Sequence, residues 1–119
     1  MAVWGLAFKK NTNDMRESPS IPIIHELVKE GAIISAYDPI AKKEAEHYFK
    51  DTIKYVNTKE QALEGKEILL ILADWDEFKQ LDYKLLKEKQ IIAVFDGKNF
   101  LDPAEIKKHK IEYFGIGRK

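Results

Sequence analysis

Apolar runs too short for helices alternate along this chain with segments whose apolar residues recur every three or four positions. The first run, AVWGLAF at residues 2–8, predicts a buried strand that ends in a polar loop. SPSIPIIHELVKEGA follows. Ser18 suits an N-cap, and Pro19 suits the first helical position, where a missing N–H costs nothing. Ile21, Ile24, Leu27 and Val28 share one face of that helix, and Gly31 suits its end. AIISAYDP, residues 32–39, predicts a second strand stopped by Asp-Pro. Residues 40–49 predict a polar helix with Ile40, Ala41, Ala45, Tyr48 and Phe49 available for one side.

TIKYV predicts a short third strand, and NTKEQALEG a short helix capped by Asn57 or Thr58. EILLILAD, residues 67–74, is the continuous apolar run expected of a strand covered on both faces. WDEFKQLDYKLLKEK predicts one broken helix or two short ones. QIIAVFDG, residues 90–97, is the next buried strand, and DPAEIKKHK a helix with Asp102 as cap and Pro103 after it. IEYFGIG predicts the last strand. This order predicts a single α/β domain over residues 1–119: a three-layer, Rossmann-like α/β/α sandwich around a mainly parallel sheet of about six strands.

Ligands of such sheets bind beyond the carboxyl ends of the strands, so chemistry is sought at residues 8–16, Asp38, residues 74–75 and residues 96–99. Lys9, Lys10 and Arg16 follow the first strand, and no G-x-G-x-x-G accompanies them; Gly5 falls inside the predicted strand. Either Lys9 holds a phosphate together with the amides near Ser18–Ser20, or the loop is solvated and Lys10 pairs with Asp14 or Glu17. Asp38 stands where nucleotide-binding domains often hold a ribose, and equally where it would cap the next helix. Trp75 either stacks on a ligand or anchors the core. In FDGKN, Gly97 permits a tight turn and Lys98 either reaches a second anion or merely completes the turn.

Charge and composition narrow this further. Lys plus Arg total 20 and Asp plus Glu 20, a balance that argues against a general nucleic-acid binder while allowing a local cationic pocket. No cysteine is present, which excludes a disulfide framework, a thiolate metal site and a cysteine nucleophile within this chain. The three histidines fall on predicted helices and suggest no metal cluster. No run is long enough to span a bilayer, and the first residues lack a signal-peptide pattern, so the expectation is a cytoplasmic domain without membrane partners.

Taken together, GLAFKKNTNDMRESPSIPIIHELVKEGAIISAYDP, ILADWDEFKQLDY, VFDGKNFLDP and FGIGR resemble the C-terminal, UDP-binding domain of the UDP-glucose/GDP-mannose dehydrogenase family, over nearly the whole chain. The resemblance implies a larger enzyme with an N-terminal NAD-binding domain and a central helix used in homodimerisation. It also implies oxidation of a UDP-sugar C6 alcohol to a carboxylate with two NAD, through a cysteine outside this chain. By position, Phe8 and Lys9 correspond to family residues that meet the UDP-sugar, and Arg16 to the arginine that reaches NAD. Lys98 replaces the arginine of the family's DGRN, and Ala73-Asp74-Trp75 replaces the more usual TEW. Lysine cannot form arginine's paired hydrogen bonds. The implied function is UDP-sugar binding within a UDP-glucose oxidoreductase of polysaccharide biosynthesis. The competing possibilities are the same domain of a UDP-N-acetylmannosamine or GDP-mannose dehydrogenase, and a stand-alone nucleotide-sensing module.

Overall fold

The computed structural model describes residues 1–7, 14–16, 18–79, 81–99 and 101–115. Six parallel strands form one sheet in the order β3-β2-β1-β4-β5-β6. They are β1 (Ala2–Trp4), β2 (Ser35–Tyr37), β3 (Lys54–Tyr55), β4 (Ile68–Ile71), β5 (Ala93–Asp96) and β6 (Glu112–Gly115). Six helices connect them: α1 (Ser20–Lys29), α2 (Lys42–Phe49), α3 (Lys59–Ala62), α4 (Asp76–Lys79), α5 (Tyr83–Glu88) and α6 (Pro103–Lys108). The order reverses between β1 and β4, which places the topological switch point of the doubly wound Rossmann-like fold there.

Alternation along the strands divides the core in two. Ala2, Trp4, Leu69, Ile71 and Val94 face one layer, where Ala62, Phe78, Leu86 and Ile106 arrive from α3, α4, α5 and α6. Val3, Ala36, Leu70 and Phe95 face the other, where Ile24 comes from α1 and Ala45 and Phe49 from α2. Helices thus lie on both faces, as the sequence predicts. Trp4 ties the first layer together: its Nε1 donates to the Lys59 carbonyl at 3.0 Å, and its ring lies 5.5 Å from that of Phe78.

The ends of the elements follow local chemistry. Thr58 and Gln61 form a reciprocal capping box on α3. Asp82 and Asp102 accept the amides of Leu85 and Ala104 to start α5 and α6, so the WDEF…KEK segment is two short helices. The second helix begins later than the pattern suggests, and Ile40 and Tyr48 stay largely outside its buried side. Gln90 has φ +65 and belongs to the turn ahead of β5 rather than to the strand.

Gly5 is the tightest point. It leaves β1 with φ +96, outside the strand that the sequence assigns it to, while its amide still donates to the Tyr37 carbonyl at 2.8 Å. A Cβ on Gly5 would come within 2.6 Å of the Ala73 Cβ and 2.7 Å of the Ala73 amide nitrogen. Both the backbone angle and the space demand glycine. Gly5→Ala is therefore expected to destabilise the domain by about 3 kcal/mol. A urea titration followed by circular dichroism reads this directly, and an unchanged midpoint would contradict the packing described.

Candidate functional site

Cross-strand register sets the site. Tyr37, Trp4, Ile71, Asp96 and Gly115 are partnered in one row across β2, β1, β4, β5 and β6. The residues that follow each of them therefore emerge at the same carboxyl edge, the edge that binds ligands in sheets of this kind.

The segment after β1 is fixed by a buried carboxylate. Asp38 Oδ2 accepts the amides of Leu6 at 2.8 Å and Ala7 at 3.2 Å, while Oδ1 accepts those of Ile40 at 2.9 Å and Ala41 at 2.8 Å. Asp38 is only 6% exposed. Of its two sequence readings, the geometry takes the cap: the carboxylate starts the turn into α2 and also ties β2 to the end of β1.

The return of the loop is fixed at the same peptide. The Ser18 and Ser20 hydroxyls both donate to the Leu6 carbonyl, at 2.8 and 2.6 Å, and lie 2.9 Å from each other. The Ser20 amide donates to Ser18 Oγ, and the Ser18 amide to the Met15 carbonyl. The Ser18 hydroxyl thus takes the Ser20 amide, but the cap position falls to Pro19 and α1 opens at Ser20, one residue later than the sequence suggests. The amides proposed from sequence to hold a phosphate near Ser18–Ser20 are instead used internally, and Pro19 has none. That expectation is corrected: α1 opens onto its own serines, not onto an anion.

Arg16 is placed on this loop with a side chain 83% exposed. Its Nε and Nη2 both donate to the Asp14 carboxylate at 3.1 Å, and its amide donates to the same carboxylate at 2.9 Å. Sequence reading offers Asp14 to Lys10, which lies outside the described residues; among the described residues Asp14 accepts from Arg16. Phe8, Lys9, Lys10 and Glu17 lie outside the described residues.

Lys98 follows β5 on a turn organised by Asp96, which is 1% exposed. Asp96 Oδ1 accepts the Lys98 amide at 3.0 Å, and Oδ2 accepts the Leu101 amide and the Tyr113 hydroxyl, both at 2.9 Å. Gly97 donates its amide to the Ile71 carbonyl at 2.8 Å, and a Cβ there would stand 2.8 Å from that oxygen. The turn aims residue 98 from a rigid base. Sequence reading lists Asp96 only as a strand end; the Asp-Gly pair is the signal for its organising role. The reach of Tyr113 from β6 has no such signal.

Trp75 packs against the core layer that contains Trp4, which is the anchoring alternative, and its buried Nε1 has no hydrogen-bond partner. Burial and a hydrogen bond to Glu77 push the Tyr37 phenol well above its ordinary pKa. Among the described residues no group of three or more His, Asp or Glu is placed to hold a metal, and no helix is long and apolar enough to cross a membrane.

With this geometry in hand, comparison with known proteins is informative. The sequence model of the UDP-glucose/GDP-mannose dehydrogenase family, UDP binding domain, matches residues 2–103. The chain is 42% identical over its whole length to UDP-glucose 6-dehydrogenase YwqF of Bacillus subtilis, of which it covers 27%. It is 38% identical to UDP-glucose 6-dehydrogenase TuaD of the same organism, with 99% of the chain and 26% of that protein covered. Among solved structures, a UDP-glucose dehydrogenase from Pyrobaculum islandicum superposes with TM-score 0.80 at 29% identity, over 98% of this chain and 25% of that one. The native UDP-N-acetyl-mannosamine dehydrogenase Cap5O of Staphylococcus aureus superposes with TM-score 0.67 at 27% identity, over 98% and 26%. The chain thus spans about a quarter of the length of the curated relatives it matches.

The Arg16 contacts have a measurable consequence. Hydrogen bonds from its side chain and its amide hold the Asp14 carboxyl below the usual aspartate range. The stabilisation from this pair is present above the ordinary aspartate pKa, near 3.9, and is lost as pH falls through the lower folded value. A carbon-detected NMR titration is expected to show a depressed Asp14 midpoint that rises toward the ordinary value in Arg16→Ala. An unaltered midpoint in that variant would mean the pair does not form in solution.

Proposed function

Because the chain belongs to the UDP-glucose/GDP-mannose dehydrogenase family, as its UDP binding domain, we propose that it supplies the nucleotide-sugar half of the active site of an NAD-dependent UDP-glucose 6-dehydrogenase. The observation that carries this is the likeness to UDP-glucose 6-dehydrogenases along the entire chain. In the proposed reaction the C6 alcohol gives up two hydrides to two NAD in succession, and water supplies the second carboxylate oxygen. The chain has no cysteine, so any covalent thiol intermediate is assigned to polypeptide outside it. The enzyme is proposed to act in the cytoplasm as a homodimer, with this domain working against its own NAD-binding domain.

Within that reading Phe8 and Lys9 contact the UDP-sugar, Lys98 supplies a second cation, and Arg16 reaches the cofactor. The fixed backbone of Leu6 and the Asp96 turn support these roles, since the one precedes the segment that carries Lys9 and the other holds the Lys98 amide. NAD itself does not fit as a principal ligand of the described residues. The glycine after β1 is closed off by Ala73, where a dinucleotide pyrophosphate would need open backbone. The cofactor is assigned to the other domain, with Arg16 contributing from this one.

In the whole dehydrogenase, Lys9→Ala is expected to raise KM for UDP-glucose by roughly tenfold or more with little change for NAD, and Arg16→Ala to do the reverse. A charge-assisted contact is worth about 1.5–3 kcal/mol, which corresponds to such factors. Equal small effects from both would overturn the division of roles. NADH formation by the 119-residue chain alone would overturn the assignment of the redox machinery elsewhere.

A further inference from the structure

The helix α4 is four residues long, too short to hold its own place by internal hydrogen bonds. It continues the segment that leaves β4 at the switch point, where the Leu72 amide donates to the Trp4 carbonyl and Ala73 lies against Gly5. Residues 73–77 therefore form one lip of the crevice at the carboxyl edge, and residues 5–7, which lead to Lys9, form the other. Two contacts hold the far end of the first lip. Phe78 is fully buried, its ring 5.5 Å from that of Trp4 and 6.2 Å from that of Tyr37. The Lys59 ammonium donates to the Glu77 carbonyl at 2.6 Å, from a part-buried place 5.7 Å over the Trp4 ring. The Lys59 carbonyl in turn accepts Trp4 Nε1, so the residue joins β1 to α4.

That ammonium has no ion-pair partner among the described residues. An unbranched apolar side chain would cover Trp4 without the cost of partly desolvating a charge. What the charge adds is a firm hold on one backbone carbonyl at the root of the lip. Within the lip, the buried Trp75 Nε1 has no hydrogen-bond partner, which costs the free domain stability. The lip is thus kept in a conformation that its own contacts do not reward. We propose that Lys59 is a positioning residue for the nucleotide sugar: by holding the Glu77 carbonyl it fixes residues 73–77 opposite the Leu6–Ala7 segment and sets the crevice between them. This rests on the functional reading above. Fixing the lip before the ligand arrives lowers the ordering cost of binding. Losing that hold weakens substrate binding and leaves the redox step, assigned to polypeptide outside this chain, unchanged.

The test uses the whole dehydrogenase. Lys59→Met keeps an unbranched stem over Trp4 and removes only the ammonium. It is expected to raise KM for UDP-glucose by about three- to tenfold with kcat and KM for NAD unchanged, the pattern of lost binding rather than lost chemistry. Lys59→Arg, which restores a donor that stacks well on an indole, is expected to return KM to normal. Lys66 also gives its ammonium to a main-chain carbonyl, that of Glu64 at 3.4 Å, but ahead of β4 at the opposite edge of the sheet; Lys66→Met is expected to leave KM unaltered. Hydrogen exchange followed by mass spectrometry reads the lip itself. The peptide over residues 73–79, which contains the Phe78 amide bonded to the Trp75 carbonyl, is expected to exchange about tenfold faster in Lys59→Met, while the Leu6 amide held by Asp38 keeps its rate. A lower melting temperature with KM for UDP-glucose unchanged would make Lys59 merely structural and overturn the proposal. So would an equal rise in KM from Lys66→Met, or no rescue by Lys59→Arg. Exchange does not depend on turnover. An unmodified enzyme that fails to oxidise UDP-glucose defeats the sugar assignment alone, and equal exchange in Lys59→Met and the unmodified enzyme defeats the hold on the lip alone.

Discussion

The site depends on the backbone of one residue. Leu6 gives its amide to Asp38 and receives both the Ser18 and Ser20 hydroxyls on its carbonyl. The loop that leaves after Ala7 and returns at Ser18 is therefore held at both roots by residues from β2 and α1. Each of the anchoring groups is nearly without solvent exposure, and hydrogen bonds in such surroundings are expensive to break, because the partner left behind has no water to replace it. The same logic repeats at β5, where Asp96 gathers the Lys98 and Leu101 amides and the Tyr113 hydroxyl. Two buried aspartates thus fix the backbone at two strand ends of the carboxyl edge.

Much of the architecture is written in the local pattern. The β-α alternation, the parallel sheet, the two short helices after residue 74 and the caps at Thr58, Asp82 and Asp102 all arise from side chains acting on their own neighbourhood. Local chemistry also explains why SPS at residues 18–20 starts a helix. It does not say that the hydroxyls turn to a carbonyl twelve and fourteen residues back and that the Ser20 amide is taken by Ser18 Oγ. The phosphate expectation failed there because an anion site and a serine-satisfied helix start share one sequence signature. Asp38 shows the same ambiguity. An aspartate after a strand suits a ribose or a cap, and only the position of the Leu6 and Ala7 amides decides between them.

Two features were beyond local reading for a different reason, since both concern what strands meet across the sheet. Gly5 looks like one more residue of an apolar run, and Ala73 like a substitution of small consequence. Together they are a single contact at the switch point, with no room for another carbon. The run ILLILA predicts a strand buried on two faces, and its inner residues are indeed little exposed. Phe95 and Phe114 belong to strands 19 residues apart in sequence, and only the sheet stacks them.

The charge on the loop can be understood from the same economy of anchors. Arg16 keeps two hydrogen bonds to Asp14 although most of its side chain is in water. Exposed pairs of this kind are worth little, because water screens them. The pairing is strong enough to restrict the guanidinium's direction and weak enough to be exchanged for a phosphate, whose charge-assisted bonds in a closed cleft are worth more. An arginine with no carboxylate nearby would be freer, and would lose more conformational entropy on binding. One tied to a buried carboxylate would be too costly to recruit. On a chain with equal numbers of acids and bases, this exposed ion pair thus orients a guanidinium that stays largely in water.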